Sequence, residues 1–349
     1  MKYLSLLQSA AVAATLVFTG ASYAEELQSL ESLYEAAKAE GEVIFGGAIK
    51  EEVGQKLLEG FAAKYPGIQV SYVRRSTEPL VQMIEADKLV GKVSFDVLNL
   101  TEPADLVRWK EEGYLAAVPV ENIDQHRENT YDPDLHYYSL GITPMYGLYN
   151  TDQLSAEEAP KSLKELITDD KWVGKIAISR PTRGGTNAIS LLNIAKLYGE
   201  DAIIGRAKDL DVLLTRGNEA AMTAIVSGER SVSWGISGYR ALEAKADGAP
   251  IELIYWEEGL PLANFMGAVP EKAPHPNAAR LLMRYLLSEE GQDIVITEGN
   301  FYSARKDISK APANEKPLDE LHTMIFSPDE VVQNGHALAV KYDEAVGLR

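Results

Sequence analysis

The sequence predicts an α/β protein of two lobes, and three observations carry that prediction. Strand, loop and helix alternate three times between residues 42 and 113, at a spacing of roughly 26 residues, as in a parallel sheet with crossover helices. A second α/β block runs from residue 161 to residue 255. Two extended apolar runs, Tyr146–Asn150 and Leu262–Val269, join the blocks and read as the crossovers of a hinge. Each lobe is expected to be a mostly parallel sheet with helices on both faces.

The elements follow in order. Leu27–Glu40 is a helix with Leu30, Leu33, Tyr34 and Ala37 on one face. Glu42–Phe45 is a short buried strand. Gly46–Glu52 opens a helix striped by Val53, Leu57, Leu58 and Phe61, and Pro66-Gly67 ends it. Ile68–Val73 is the second strand. Its loop, Arg74–Thr77, offers Ser76 or Thr77 as helix cap, with Pro79 in the first turn. Leu80, Met83, Ile84 and Leu89 stripe the next helix. Phe95–Leu100 is the third strand, Thr101-Glu102-Pro103 its loop and Ala104–Gly113 its helix. In the second block Lys161–Thr168 is helical, Lys175–Ser179 a strand and Asn187–Gly199 a helix. Asp201–Leu214 and Asn218–Ser227 read as helices, Arg230–Gly235 as a strand, Ile236–Ala246 as a helix and Ile251–Tyr255 as a strand. Asn277–Thr297 is strongly helical. The polar tail Leu318–Arg349 is helical in pieces.

The start of the chain has the features of a cleaved export signal. Lys2 supplies the positive charge, Leu4–Phe18 a short apolar run, and Ser22-Tyr-Ala24 the small residues a peptidase reads. Cleavage is expected after Ala24, which places the product in the periplasm. The division into lobes is then residues 1–24 signal, 25–145 with 262–300 lobe 1, and 146–261 with 301–349 lobe 2. The absence of cysteine excludes disulfides and thiolate metal sites. The formal charge of −18 argues against nucleic acid and anionic lipid as partners.

A local cluster of arginines can still make an anion site on an acidic protein. The stretch Ile178–Thr186 is a strand end, a loop and a helix start. Arg183 brings a planar fork for a carboxylate or phosphate, Gly184 and Gly185 allow close backbone approach, and Thr186 can cap the helix. A helix start adds free N–H groups and partial positive charge. An ordinary strand-to-helix turn with a surface arginine would carry the same residues.

The segments Val43-Ile-Phe-Gly-Gly-Ala-Ile-Lys-Glu51, Phe95–Leu98, Tyr149–Asp152, Trp172–Ile176 and Asn277–Gln292 resemble those of periplasmic solute-binding proteins of ABC importers. The likeness is to the group containing ferric-iron binders and binders of phosphonates and other organic anions. It implies the two-lobed periplasmic-binding-protein fold, a solute held between the lobes, a permease in the inner membrane as partner, and a monomer. The iron binders of that group use two adjacent tyrosines after a lobe-2 strand. Here that position reads Trp234-Gly-Ile-Ser-Gly-Tyr239, with one tyrosine. Tyr137-Tyr138, an adjacent pair, precedes the first crossover and reads as an aromatic pair near the hinge. Ferric iron is therefore the alternative, and a small anionic or zwitterionic solute the main expectation.

Candidate contacts come from loops at strand ends: Ala48, Arg74, Ser76, Thr101 and Glu102 in lobe 1, and Arg183, Gly184, Gly185, Thr186, Trp234, Ser237 and Tyr239 in lobe 2. Glu102 serves equally well as a partner of the helix dipole, and Trp234 as core. No cofactor or metal is expected. Catalysis is not expected either. The segment Gly235-Ile-Ser-Gly-Tyr239 lacks the closing glycine of a nucleophile elbow, and the five histidines have no metal-pair spacing.

Overall fold

The computed structural model describes residues 27–348, apart from Glu102 and Gly184. The expected signal segment, Met1–Ala24, lies outside the described residues.

The first units form as the periodicity predicts. Helix α1 (Leu30–Glu40) starts where Ser29 Oγ accepts from the Ser32 N–H at 3.3 Å and ends at Gly41, whose φ of 78° suits glycine. Strand β1 (Glu42–Gly47), helix α2 (Glu51–Lys64), strand β2 (Gln69–Arg74), helix α3 (Thr77–Leu89), strand β3 (Val97–Leu100) and helix α4 (Ala104–Glu111) follow. β1 lies between β2 and β3, parallel to both. β3 starts two residues later than predicted. Asp96 is used as a buried acceptor instead, for the Ile44 and His275 N–H groups at 2.8 and 2.7 Å.

β4 (Tyr137–Asn150) is one 14-residue strand, fully buried along its length. Helices α5 (Leu163–Thr168), α6 (Gly185–Tyr198), α7 (Glu200–Ile204), α8 (Asn218–Val226) and α9 (Gly238–Ala246) alternate with strands β5 (Ala177–Ser179), β6 (Leu213–Thr215), β7 (Val232–Ser237) and β8 (Ile251–Ile254). β9 (Leu260–Ala268) precedes α10 (Pro276–Leu286) and α11 (Glu289–Thr297). β10 (Thr323–Ile325), the single turn α12 (Pro328–Glu330) and α13 (His336–Ala345) end the described chain.

The two crossovers are β4 and β9. Residues Tyr137–Pro144 of β4 pair antiparallel with β9, Met145–Tyr149 pair with β7, and Gly147–Asn150 pair with β8. The handover therefore lies between Pro144 and Met145. This corrects the first expected crossover, because Tyr146–Asn150 is already inside the second sheet. β9 also pairs antiparallel with β3 and parallel with β10. The result is a mixed α/β fold: β1 to β3 run parallel, β9 runs against β3 and β4, and β4 in turn runs against β7 and β8.

A second correction concerns Asp201–Leu214. Its helix stops at Ile204, and Leu213–Thr215 pairs parallel with β5 as β6. The short Leu-Leu-Thr run fits a pleated sheet as readily as a helix, so periodicity could not separate the two. Burial follows the two blocks. One core gathers Phe45, Leu57, Phe61, Leu140 and Leu282 with Phe301, and the other gathers Tyr146, Leu166, Trp172, Ile178 and Trp234 with Leu338 and Tyr342. The tail is thus shared: Phe301 packs in the first core, although the sequence division begins the second lobe's tail at that residue.

Candidate functional site

Strand ends and helix starts from both lobes meet around a cleft of about 890 Å³. From the first lobe come Ala48 after β1, Arg74 and Ser76 between β2 and α3, and Thr101 after β3. From the second come Ser179 to Arg183, Thr186, Arg216 to Asn218, Ser237, Tyr239 and Arg240. This edge is where open α/β sheets bind ligands, because loops are free there and helices begin there.

The helix starts are open. Ser76, Gly217 and Ser237 are the N-cap residues of α3, α8 and α9, and none of the three makes a side-chain cap hydrogen bond. The starts of α3 and α8 keep orphan N–H groups and a partial positive charge at the cleft, whereas at α9 the Tyr239 N–H donates to Thr143 Oγ1 at 3.2 Å. Ser76 Oγ instead accepts from Arg74 Nη1 at 3.3 Å. Thr186 Oγ1 accepts from Asn218 Nδ2 at 2.8 Å, which ties the start of α6 to the start of α8. Thr77 Oγ1 lies 2.9 Å from Thr101 Oγ1. Ser179 closes β5, is fully buried and lines the cleft, and its Oγ has no partner.

Five arginines line the cleft: Arg74, Arg180, Arg183, Arg216 and Arg240. Arg180 is bound to Asp343, Nε to Oδ2 at 2.7 Å. Arg240 lies 5.2 Å above the ring of Tyr239 and 3.9 Å from Glu219. Arg74, Arg183 and Arg216 are exposed and form no ion pair among the described residues. Of the acids on the rim, Asp105 is paired with Arg108 at 2.5 Å.

Tyr239 is the aromatic wall. Its ring stacks on Phe301 at 4.9 Å and stands edge-on to Phe265 at 5.5 Å. Burial pushes its phenol above the ordinary range, and Arg240 and Arg74 pull the other way without cancelling that push.

Of the residues expected from the sequence, Ala48, Arg74, Ser76, Thr101, Arg183, Thr186, Ser237 and Tyr239 line the cleft. Gly185 opens α6. Glu102 and Gly184 lie outside the described residues. Trp234 is a correction: it is 1% exposed and packs edge-on against Tyr342 in the second core, 6.3 Å away, so it does not wall the cleft. Tyr137 and Tyr138 are buried away from it, and Tyr138 Oη donates to the Val118 carbonyl at 2.6 Å.

Sequence reasoning missed Arg216, Asn218, Arg240, Ser179 and His336. Arg216-Gly217-Asn218 is the same strand-end, glycine and helix-start pattern as Arg183–Thr186. It was hidden because Leu213 and Leu214 read as the end of a helix.

Comparison with known proteins places the chain in a family. The family described as "Bacterial extracellular solute-binding protein" matches residues 95–332. The chain belongs to that family. A relative, an uncharacterized protein of Haemophilus influenzae, is 24% identical to this binding protein over 76% of this chain and 78% of its own. Iron-bound HitA from Pseudomonas aeruginosa has the same fold, with a TM-score of 0.75 and 21% identity over 88% of this chain and 99% of HitA. The periplasmic binding protein AfuA from Actinobacillus pleuropneumoniae, solved with fructose-6-phosphate bound, matches at a TM-score of 0.75 and 21% identity over 88% and 99%. At these identities the likeness establishes the fold.

Proposed function

We propose that this binding protein captures a small organic or phosphorus-containing anion between its lobes and delivers it to an ABC permease. The observation that carries the reading is the convergence of the uncapped helix starts α3 and α8, one from each lobe, on one cleft beside Arg74, Arg183 and Arg216. Uncapped N–H groups and guanidinium forks are complementary to phosphate, phosphonate and carboxylate oxygens. The donors sit on both lobes, so a bound anion bridges them and favours their approach, without chemistry. A cleft of this size also takes an organic group beyond the anion.

Iron is the weaker reading. Hard ferric ion needs several anionic oxygens converging on it. Here the cleft offers one tyrosine, whose ring is packed against Phe265 and Phe301. Among the described residues no group of histidine, aspartate and glutamate could hold a metal ion, and no helix is long and apolar enough to cross a membrane. An exported, periplasmic location belongs to the same proposal.

A thermal-shift screen of phosphate esters, phosphonates, carboxylates and ferric citrate tests the reading. A ligand at about a hundred times its Kd adds about 2.7 kcal/mol to the native state. A rise with an organic anion supports the proposal. A rise with ferric citrate alone, with a visible phenolate band that Tyr239→Phe removes, replaces it with the iron reading.

A further inference from the structure

We propose that Asp343, on the C-terminal helix, is the positioning residue of the second lobe's anion loop. The inference rests on the anion reading of the cleft. Asp343 is 3% exposed and sits on α13. Its Oδ2 accepts from Arg180 Nε at 2.7 Å and also from Thr182 Oγ1. These donors belong to the four-residue turn that runs from Arg180 through the single helical turn Pro181–Arg183 and is closed by the Arg183 N–H donating to the Arg180 carbonyl at 2.9 Å. One carboxylate, about 160 residues away in sequence, thus holds both sides of the turn that presents Arg183 and leads into α6.

α13 is anchored well enough to serve as that support. Tyr342 is buried against Trp234, and Lys341 pairs with Glu200 at the start of α7, 2.6 Å away. The pairing also divides the arginines by role. Arg180 shares its charge with Asp343 and braces the turn, whereas Arg183 has no such partner and faces the solute. A braced loop spends less ordering entropy when the anion arrives, so bracing appears as affinity.

Calorimetric titration of fructose 6-phosphate and inorganic phosphate into the mature chain tests this, with a thermal melt to confirm folding of each variant. Asp343→Asn is expected to weaken binding about tenfold, and Arg183→Gln by a similar factor, as for loss of a charged hydrogen bond. The decisive protein carries both substitutions. If Asp343 acts by placing Arg183, the double variant binds no more than about twofold more weakly than Arg183→Gln alone. Equal losses from Asp343→Asn in both backgrounds, or no loss in either, overturn the proposal. If Asp343→Asn does not fold, Thr182→Val removes one of the two hydrogen bonds at nearly constant shape, and the same comparison applies with about a threefold loss expected. Arg183→Gln without effect takes Arg183 out of the site and overturns the role of Asp343 through it, whereas an unsubstituted protein that binds neither anion overturns the phosphate reading of the cleft. Arg183→Gln with a loss and Asp343→Asn without one overturns only the positioning role.

Discussion

Arg183 and Arg216 occupy equivalent places, each one or two residues before a helix start on the second lobe's side of the cleft. Each is expected to contribute separately to anion binding. Arg183→Ala and Arg216→Ala should each raise Kd roughly tenfold or more and flatten its dependence on salt. Titration at two salt concentrations checks this, and an unchanged Kd removes the residue from the site. His126 makes a different prediction. Its ring is buried between Tyr131 and Tyr138, neither ring nitrogen has a partner, and burial with nearby Arg305 lowers its pKa to about 4. The unfolded chain therefore takes up this proton near pH 6.5, and the folded chain only near pH 4. Between those values stability falls as pH falls, by up to roughly 3 kcal/mol from this group. His126→Phe should flatten that part of the melting profile; equal slopes for the two proteins would discard the assignment.

At the scale of elements, β4 is the part that most constrains substitution. Gly147 lies in its second-lobe half, where an added Cβ would sit 2.3 Å from Cζ2 of Trp256. Trp256 cannot easily yield, since its Nε1 donates to the Trp234 carbonyl at 3.1 Å inside the second core. Gly147→Ala should therefore cost roughly 1–3 kcal/mol, read by denaturant unfolding. The helix starts depend on strand placement in the same way. β6 forms only because β5 is beside it, and that pairing turns Arg216 toward the cleft. Local sequence could not show this, because a three-residue strand carries too little periodicity to declare itself.

For the whole molecule, the lobes touch through an ion pair as well as through the hinge. Lys50, at the start of α2, pairs with Glu243 on α9, and neither lines the cleft. Both side chains are partly exposed, so the pair contributes modestly. Lys50→Glu and Glu243→Lys should each weaken solute binding by a few fold, and the double swap should restore it. A double variant as weak as the single ones would show that the pair does not report on closure. Small-angle scattering should in turn show a more compact particle when the solute is bound.

The sequence alone determined the class of fold and marked the Arg183 strand-to-helix loop. Apolar periodicity, glycine and proline punctuation, and the serine and threonine helix starts are local properties, so β1 to β3 and the Arg183 loop could be read directly. It also weighed against iron, because paired tyrosines after β7 are simply not written there. Tertiary structure decided what depends on distant partners. It put Trp234 in the core, handed β4 over between Pro144 and Met145, made β6 a strand, and brought Asp343 beneath the Arg180–Arg183 turn. Strand pairing and the burial of a charge are settled by segments far apart in the chain, and no window of sequence contains both partners.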